Sequence, residues 1–331
     1  MDWLTPGLAF AGVWMVTLVL GRVGMPMLRR LQVGQTVRDD GPQSHLSKTG
    51  TPLFGGLFFG VPLLLAGVMA ALLRPELWRV VWICGLILFS GAIGFADDYI
   101  KVRIDREGLS PRRKTVWMLL VDAVFVAVYL YVLPDPPVLL LPFSERILPL
   151  TGWWKPLYGL ALIVYLYFCV NAVNLNDGVD GLCPSVTVVA SLSIGICAAM
   201  VVTRVPAAES AVVVMAATAG GCLGFLPYNR HKAKVFMGDT GSFLLGASVT
   251  GAALIAGMPW LLLAAGFVYI AEAMSVVLQV AYFKRTGGKR IFRMSPIHHH
   301  YELGGWSENK IVVVFTAVTC AGGLLAVLSV L

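Results

Sequence analysis

The sequence predicts an all-α integral membrane protein, a polytopic bundle of about ten transmembrane helices. Three observations predict it. Hydrophobic residues make up 58% of the 331 and charged residues only 13%, with a mean hydropathy of +0.80. That is too little charge to cover a soluble domain of this length. Apolar stretches near the ~20 residues needed to cross the hydrocarbon core recur from end to end. Finally, the basic residues of the connecting loops are segregated to one side.

The spans fall at about 4–28, 51–73, 77–96, 115–133, 156–176, 184–202, 210–227, 242–257, 259–283 and 311–331. The first has no basic stretch and cleavage site around it, so Trp3 onward reads as a retained span rather than a removed signal. No soluble unit fits between the spans, and residues 1–331 read as a single membrane domain. An even number of spans places both termini on one side. Loops 29–50, 97–114, 228–241 and 284–310 carry most of the 25 Lys and Arg, whereas the opposite loops hold only Arg74, Arg79, Arg146, Lys155 and Arg204. By the positive-inside rule the basic face is cytoplasmic and both termini lie outside. The outward segment 134–155 is rich in Pro and apolar residues and ends in Trp153-Trp154, an expected interfacial anchor.

The net charge of +7 is accounted for by this topology and by anionic ligands. No basic surface interleaved with aromatics points to nucleic acid. The six cysteines lie in or at the ends of spans without metal-ligand spacing and read as small core residues. Glycines inside spans, such as Gly55-Gly56, Gly91, Gly94 and Gly220-Gly221, read as sites of close helix packing. Two acids, Asp122 and Glu272, fall within spans. Each costs ~2.5–3.5 kcal/mol on an insertion scale, so each is expected to face protein or water, in a packing role.

Chemistry concentrates in the basic face. Asp97-Asp98 end one span, and Lys101 follows one helical turn on. Adjacent carboxylates repel unless a cation intervenes, and a magnesium ion, which takes oxygen ligands, bridges naturally to phosphate. Asn174-Leu-Asn-Asp177-Gly-Val-Asp180-Gly181 sets two carboxylates three apart in a glycine turn, too short for an EF-hand. Phe236-Met-Gly-Asp239-Thr-Gly241 places a further acid at the mouth of the next span. Each is weak alone. Three on one face are hard to explain as solvated loops. His298-His299-His300 are successive and cannot all face one ion in regular structure; beside arginines they suit a diphosphate, as donors or proton carriers near neutral pH.

TPLFGG (51–56), GFADDYIK (94–101), NLNDGVDG (174–181), FMGDTGS (236–242) and RIFRMSPIHHHYE (290–302) together resemble the polyprenyl-phosphate N-acetylhexosamine-1-phosphate transferase superfamily. The motifs occur in order and cover essentially the whole chain. VRDDGPQSHLSKTGTP (37–52) and SPIHHHYE resemble the branch whose donor is a muramoyl-pentapeptide nucleotide. The resemblance implies transfer of phospho-MurNAc-pentapeptide from UDP-MurNAc-pentapeptide to undecaprenyl phosphate, forming lipid I and UMP for peptidoglycan synthesis. It implies Mg2+, a homodimer, and a multi-pass protein of the bacterial inner membrane with its site on the cytoplasmic face.

By motif, the resemblance makes Asp97, Asp98, Asp177 and His298 the catalytic group, with Asp97 the base. It makes Asp239, Asp98 and Asp177 the metal ligands. Asn174, Asp177 and Asp180 line the nucleotide pocket, with Lys48 and the face of Phe236 near uracil. Lys101, Lys114, His298, His299 and His300 contact phosphates. Leu53-Phe54, Asn176 and Tyr301 depart from the family's Thr-Met, Thr and Phe. The expected chemistry is direct attack by the lipid phosphate, with a covalent aspartyl intermediate as its rival. Two other readings compete. One is a sister transferase taking UDP-N-acetylglucosamine, which donor assays separate. The other is a secondary transporter, which predicts ionisable groups at the bilayer midplane instead of at one interface.

Overall fold

The computed structural model describes residues 2–31, 48, 50–134 and 137–331. Most of the 37–52 segment therefore lies outside the described residues, although Lys48 and 50–52 are within them. The architecture is all-α apart from one hairpin. Among the described residues, nine helices are long and apolar enough to cross a membrane.

Helix α1 (Leu4–Arg30) buries one stripe, Pro6, Ala9, Val13, Thr17, Gly21 and Met25, at three- and four-residue spacing. Its other faces leave Leu8, Met15, Val19 and Val23 exposed. A helix that is apolar all round yet buries one stripe turns the remainder to lipid. Next come α2 (Gly56–Leu73), α3 (Arg79–Arg103) and α4 (Pro111–Tyr131). A hairpin follows, β1 (Val138–Leu140) pairing antiparallel with β2 (Ile147–Pro149). The bundle continues with α5 (Trp154–Leu175), α6 (Leu182–Val201), α7 (Ala208–Asn229) and α8 (Gly238–Ile255). It closes with α9 (Leu261–Ala264), α10 (Phe267–Arg285), α11 (Ile297–Glu302) and α12 (Glu308–Leu328).

The one expected span outside these nine, the eighth at 242–257, is α8, which is less apolar than the others. The reason is its position. Every residue from Thr240 to Ile255 is buried, packed by α2, α3, α5, α6 and α7, so Ser242, Ser248 and Thr250 meet protein instead of lipid. The three hydroxyls donate to carbonyls of their own helix. α8 still runs the length of the bundle. Its first turn meets α3, and beyond its last turn the Gly257 carbonyl accepts from the Leu140 N–H at 2.8 Å.

Both chain ends lie at the end of the bundle where α8 finishes. Arg74, just past α2, pairs with Asp2 at 3.6 Å and with Glu209 of α7 at 2.9 Å. Near the other terminus, the Ser329 carbonyl accepts from the N–H of Phe143 in the hairpin loop.

Several boundaries differ from expectation. The span placed at 51–73 becomes helical only at Gly56, because the preceding segment pairs with the loop before α8. The Phe236 N–H donates to the Pro52 carbonyl (2.9 Å), and the N–H groups of Gly55 and Gly56 donate to the carbonyls of Phe236 and Met237 (2.8 and 3.1 Å). The span at 77–96 continues to Arg103, so Asp97, Asp98 and Lys101 sit on the last turns of α3 instead of in a loop. The span at 259–283 breaks between Ala264 and Phe267. All six cysteines are free, and only Cys320 is exposed.

Candidate active site

The site begins where α3 and α8 cross. A Cβ at Gly94 would lie 2.6 Å from the Thr240 nitrogen and closer still to the Asp239 carbonyl. Glycine is what lets the first turn of α8 rest on α3. That first turn has N–H groups without helical partners. Asp98 of α3 supplies them. Its carboxylate accepts from the Asp239 N–H (3.1 Å), the Thr240 N–H (2.8 Å) and the Thr240 hydroxyl (2.6 Å). Asp98 thus caps a helix other than its own, a contact of about 1 kcal/mol at an ordinary N-cap, and fixes the turn that carries Asp239.

Asp239 then faces back across α3. One oxygen accepts from the Asn174 side-chain amide at 2.9 Å; the other meets Lys101 at 3.0 Å and pairs with Lys114. Asp97 is buried. It accepts from the Leu109 N–H at 2.8 Å and pairs with Lys101 and more distantly with Lys114. The carboxylates of Asp97, Asp98 and Asp239 offer oxygens all within 4.8 Å of one another. Three hard oxygen donors this close, balanced only by two flexible ammonium groups, fit a divalent oxygen-seeking cation. Both Asp98 oxygens already serve the amides of α8, whereas Asp97 and Asp239 each turn one oxygen to the lysines.

Asp177 stands outside that group, in the turn between α5 and α6. Burial pushes its carboxyl well above the usual range, and the negative charges of Asp239, Asp98 and Asp180 add to the shift against Lys48. Asn174, expected in the nucleotide pocket, hydrogen-bonds Asp239 and also Ser242 at 2.8 Å.

A second charged group lies on the other side of this turn. Lys48 bridges Asp180 and Glu308, each at 2.8 Å. Glu308, at the start of α12, also accepts from the Asp180 N–H at 3.0 Å, and Asp180 accepts from the Ala233 N–H at 2.9 Å. The exposed His231 stands 3.5 Å from Asp180 and 3.4 Å from Glu308. Phe236 borders the apolar pair Leu53 and Phe54, so two of the residues that depart from the family fill a small cluster under the loop before α8. Tyr301 stacks on Trp306 at 4.6 Å. Asn176 is fully buried, and among the described residues neither of its side-chain polar atoms has a partner.

The three histidines diverge on the short α11. His298 points inward to Glu272 at 3.0 Å, His299 faces Glu302 at 3.1 Å, and His300 accepts from the Arg293 N–H at 3.1 Å. They face three different partners, although the rings of His298 and His299 meet edge to face with centroids 4.1 Å apart. Sequence reading missed Glu308, His231, Thr240 and the amide of Leu109. For Glu308 there was a signal: an acid at the mouth of a span, on the face that carries the other carboxylates.

An all-α membrane bundle with a carboxylate–lysine centre at one end suits phosphate chemistry at a membrane surface. The family model for glycosyl transferase family 4 matches residues 79–257. The chain is 42% identical to phospho-N-acetylmuramoyl-pentapeptide-transferase of Desulforamulus reducens, over 98% of this chain and 95% of that protein. It is 43% identical to the protein of the same name in Pelotomaculum thermopropionicum, over 94% of each. For that of Listeria innocua the identity is 38%, over 96% of each. The chain belongs to the phospho-N-acetylmuramoyl-pentapeptide-transferase family.

Proposed function

We propose that this chain transfers phospho-MurNAc-pentapeptide from UDP-MurNAc-pentapeptide to undecaprenyl phosphate, releasing UMP and forming lipid I for peptidoglycan synthesis. The observation that carries the reading is the grouping of Asp97, Asp98 and Asp239 with Lys101 and Lys114 at one end of an apolar bundle. A soluble diphosphate arrives there from water, and a lipid phosphate reaches the same level from the bilayer. The cytoplasmic face of the inner membrane is the side where both meet, in agreement with the basic loops. The sister reaction with UDP-N-acetylglucosamine is not favoured, since the relatives named above are all muramoyl-pentapeptide transferases.

The acceptor phosphate oxygen attacks the donor phosphorus that bears the sugar, and the bridging P–O bond breaks with its electrons leaving on UMP. Asp97 takes the proton of an acceptor phosphate that arrives protonated. Lys101 and Lys114 leave their carboxylates to hold the diphosphate oxygens, and His298 supplies a proton or hydrogen bond to the departing phosphate. Lys48 and Asp180 orient the uracil beside the ring of Phe236, with Asp177 and Asn174 between the two groups. His299 and His300 border the sugar phosphate. Asp239 and Asp97 would hold a magnesium ion, whose charge would offset that gathering on the diphosphate. The family resemblance also points to a homodimer.

Product analysis tests the reading. Purified protein given UDP-MurNAc-pentapeptide and undecaprenyl phosphate yields UMP and lipid I with magnesium and neither with a chelator. Turnover of UDP-N-acetylglucosamine in its place would replace this reading with the sister reaction. The pairing of Glu308 with Lys48, which orients the uracil in this reading, predicts a binding defect. Replacing Glu308 with Gln weakens the hold on Lys48 and raises KM for the nucleotide about tenfold, ~1.4 kcal/mol, with kcat within about twofold. Steady-state kinetics with varied donor checks this.

A further inference from the structure

Glu272 has no place in the chemistry above, yet it is an ionisable group with no solvent exposure, inside a membrane-spanning helix. Such groups are costly and persist where something uses them. What faces it is His298, also fully buried. Its Nδ1 lies 3.0 Å from Glu272 Oε1, off the line of a full hydrogen bond, and its backbone N–H donates to Oε2 at 3.4 Å. The far edge of the imidazole abuts the turn between Asp177 and Val179. A Cβ at Gly178 would stand 2.6 Å from His298 Cε1 and closer to Nε2, and the three atoms nearest to it all belong to this ring. Nε2 itself is buried without a partner among the described residues. The ring is thus held between a carboxylate and a glycine turn, with one nitrogen beside the carboxylate and the other against the acidic turn.

We propose that Glu272 is the positioning residue of His298. Its carboxylate holds the Nδ1–H and sets the ring so that the second proton, on Nε2, is presented to the diphosphate, as second partners of functional histidines do. This rests on the reading that His298 serves the transfer. Glu272 is not needed to hold the loop before α11, because Gln279, two turns further along α10, already does so. The Gln279 side-chain oxygen accepts from the N–H groups of Ile291 and Phe292 at 3.0 Å each, and its amide donates to the Phe292 carbonyl at 3.0 Å.

A double-mutant cycle on the full-length protein separates positioning from packing. Glu272→Gln is expected to lower kcat about tenfold or more, with donor KM within about twofold. In a His298→Ala background the same substitution changes kcat less than about twofold, because the residue through which it acts is gone. Losses that multiply in the double variant overturn the proposal. So does an unimpaired Glu272→Gln enzyme beside an impaired His298→Ala enzyme, which leaves the role of His298 standing. A fully active His298→Ala enzyme overturns the role of His298 and the positioning role with it. Should Glu272→Gln not fold, 15N spectra of histidine-labelled parent protein decide, with the His298 signals assigned by their loss in His298→Ala. A ring protonated on Nδ1 supports the proposal, and one protonated on Nε2 alone overturns it.

Discussion

Replacing Asp239 with Asn is expected to lower the transfer rate about a thousandfold, ~4 kcal/mol, on the scale of losing one strong electrostatic contact in a preorganised site. The protein remains folded, because the helix cap is made by the backbone of Asp239 and the side chain of Asp98, neither of which changes. An amide keeps an oxygen for Asn174 but loses the charge that draws Lys101 and Lys114. Two measurements together check this. Transfer should collapse, and magnesium, which is expected to raise the melting temperature of the parent by binding the folded state, should not do so for the variant. A variant that keeps full activity would remove Asp239 from the metal site.

The second large effect concerns Gly94. Introducing alanine there drives a methyl group into the backbone of Asp239 and Thr240. Neither partner is a flexible side chain, so the helices must separate. Overpacking of this kind costs typically ~1–3 kcal/mol, and here the displaced turn carries Asp239, so activity should fall further than stability. Gly85 lies on the same helix, and a Cβ there meets nothing within 4 Å. Alanine at Gly85 should leave melting temperature and activity near those of the parent, which makes it the control. Equal behaviour of the two variants would contradict the close crossing of α3 and α8.

Much of this was legible in the sequence. Long apolar runs mark their own spans, and the three aspartate motifs marked the candidate site because charge at a membrane surface is rarely idle. The five aspartates do gather at one end of the bundle, but not as one set. Asp97, Asp98 and Asp239 group together, Asp180 joins Lys48 and Glu308, and Asp177 lies between. That division depends on which helices cross, which no local pattern encodes. Asp98 reads in sequence as one more carboxylate; only the crossing makes it the cap of α8. Glu272 read as a packing residue because its partner, His298, is 26 positions away. The lipid-facing helices were the easy ones, since lipid imposes its hydrophobicity on them directly. α8 was harder, because a helix surrounded by protein owes nothing to lipid.

That seclusion of α8 bears on how the chain is made. A segment opening with Asp239 and carrying Ser242, Ser248 and Thr250 gains less from dissolving in hydrocarbon than its neighbours do. Its favourable surroundings are α3, α5 and α7, all synthesised before it. During biogenesis the earlier helices are therefore expected to form a receptive cleft, into which α8 fits before α10 and α12 follow. Damage to that cleft should surface first as failed insertion and degradation in the cell, before any kinetic defect can be measured.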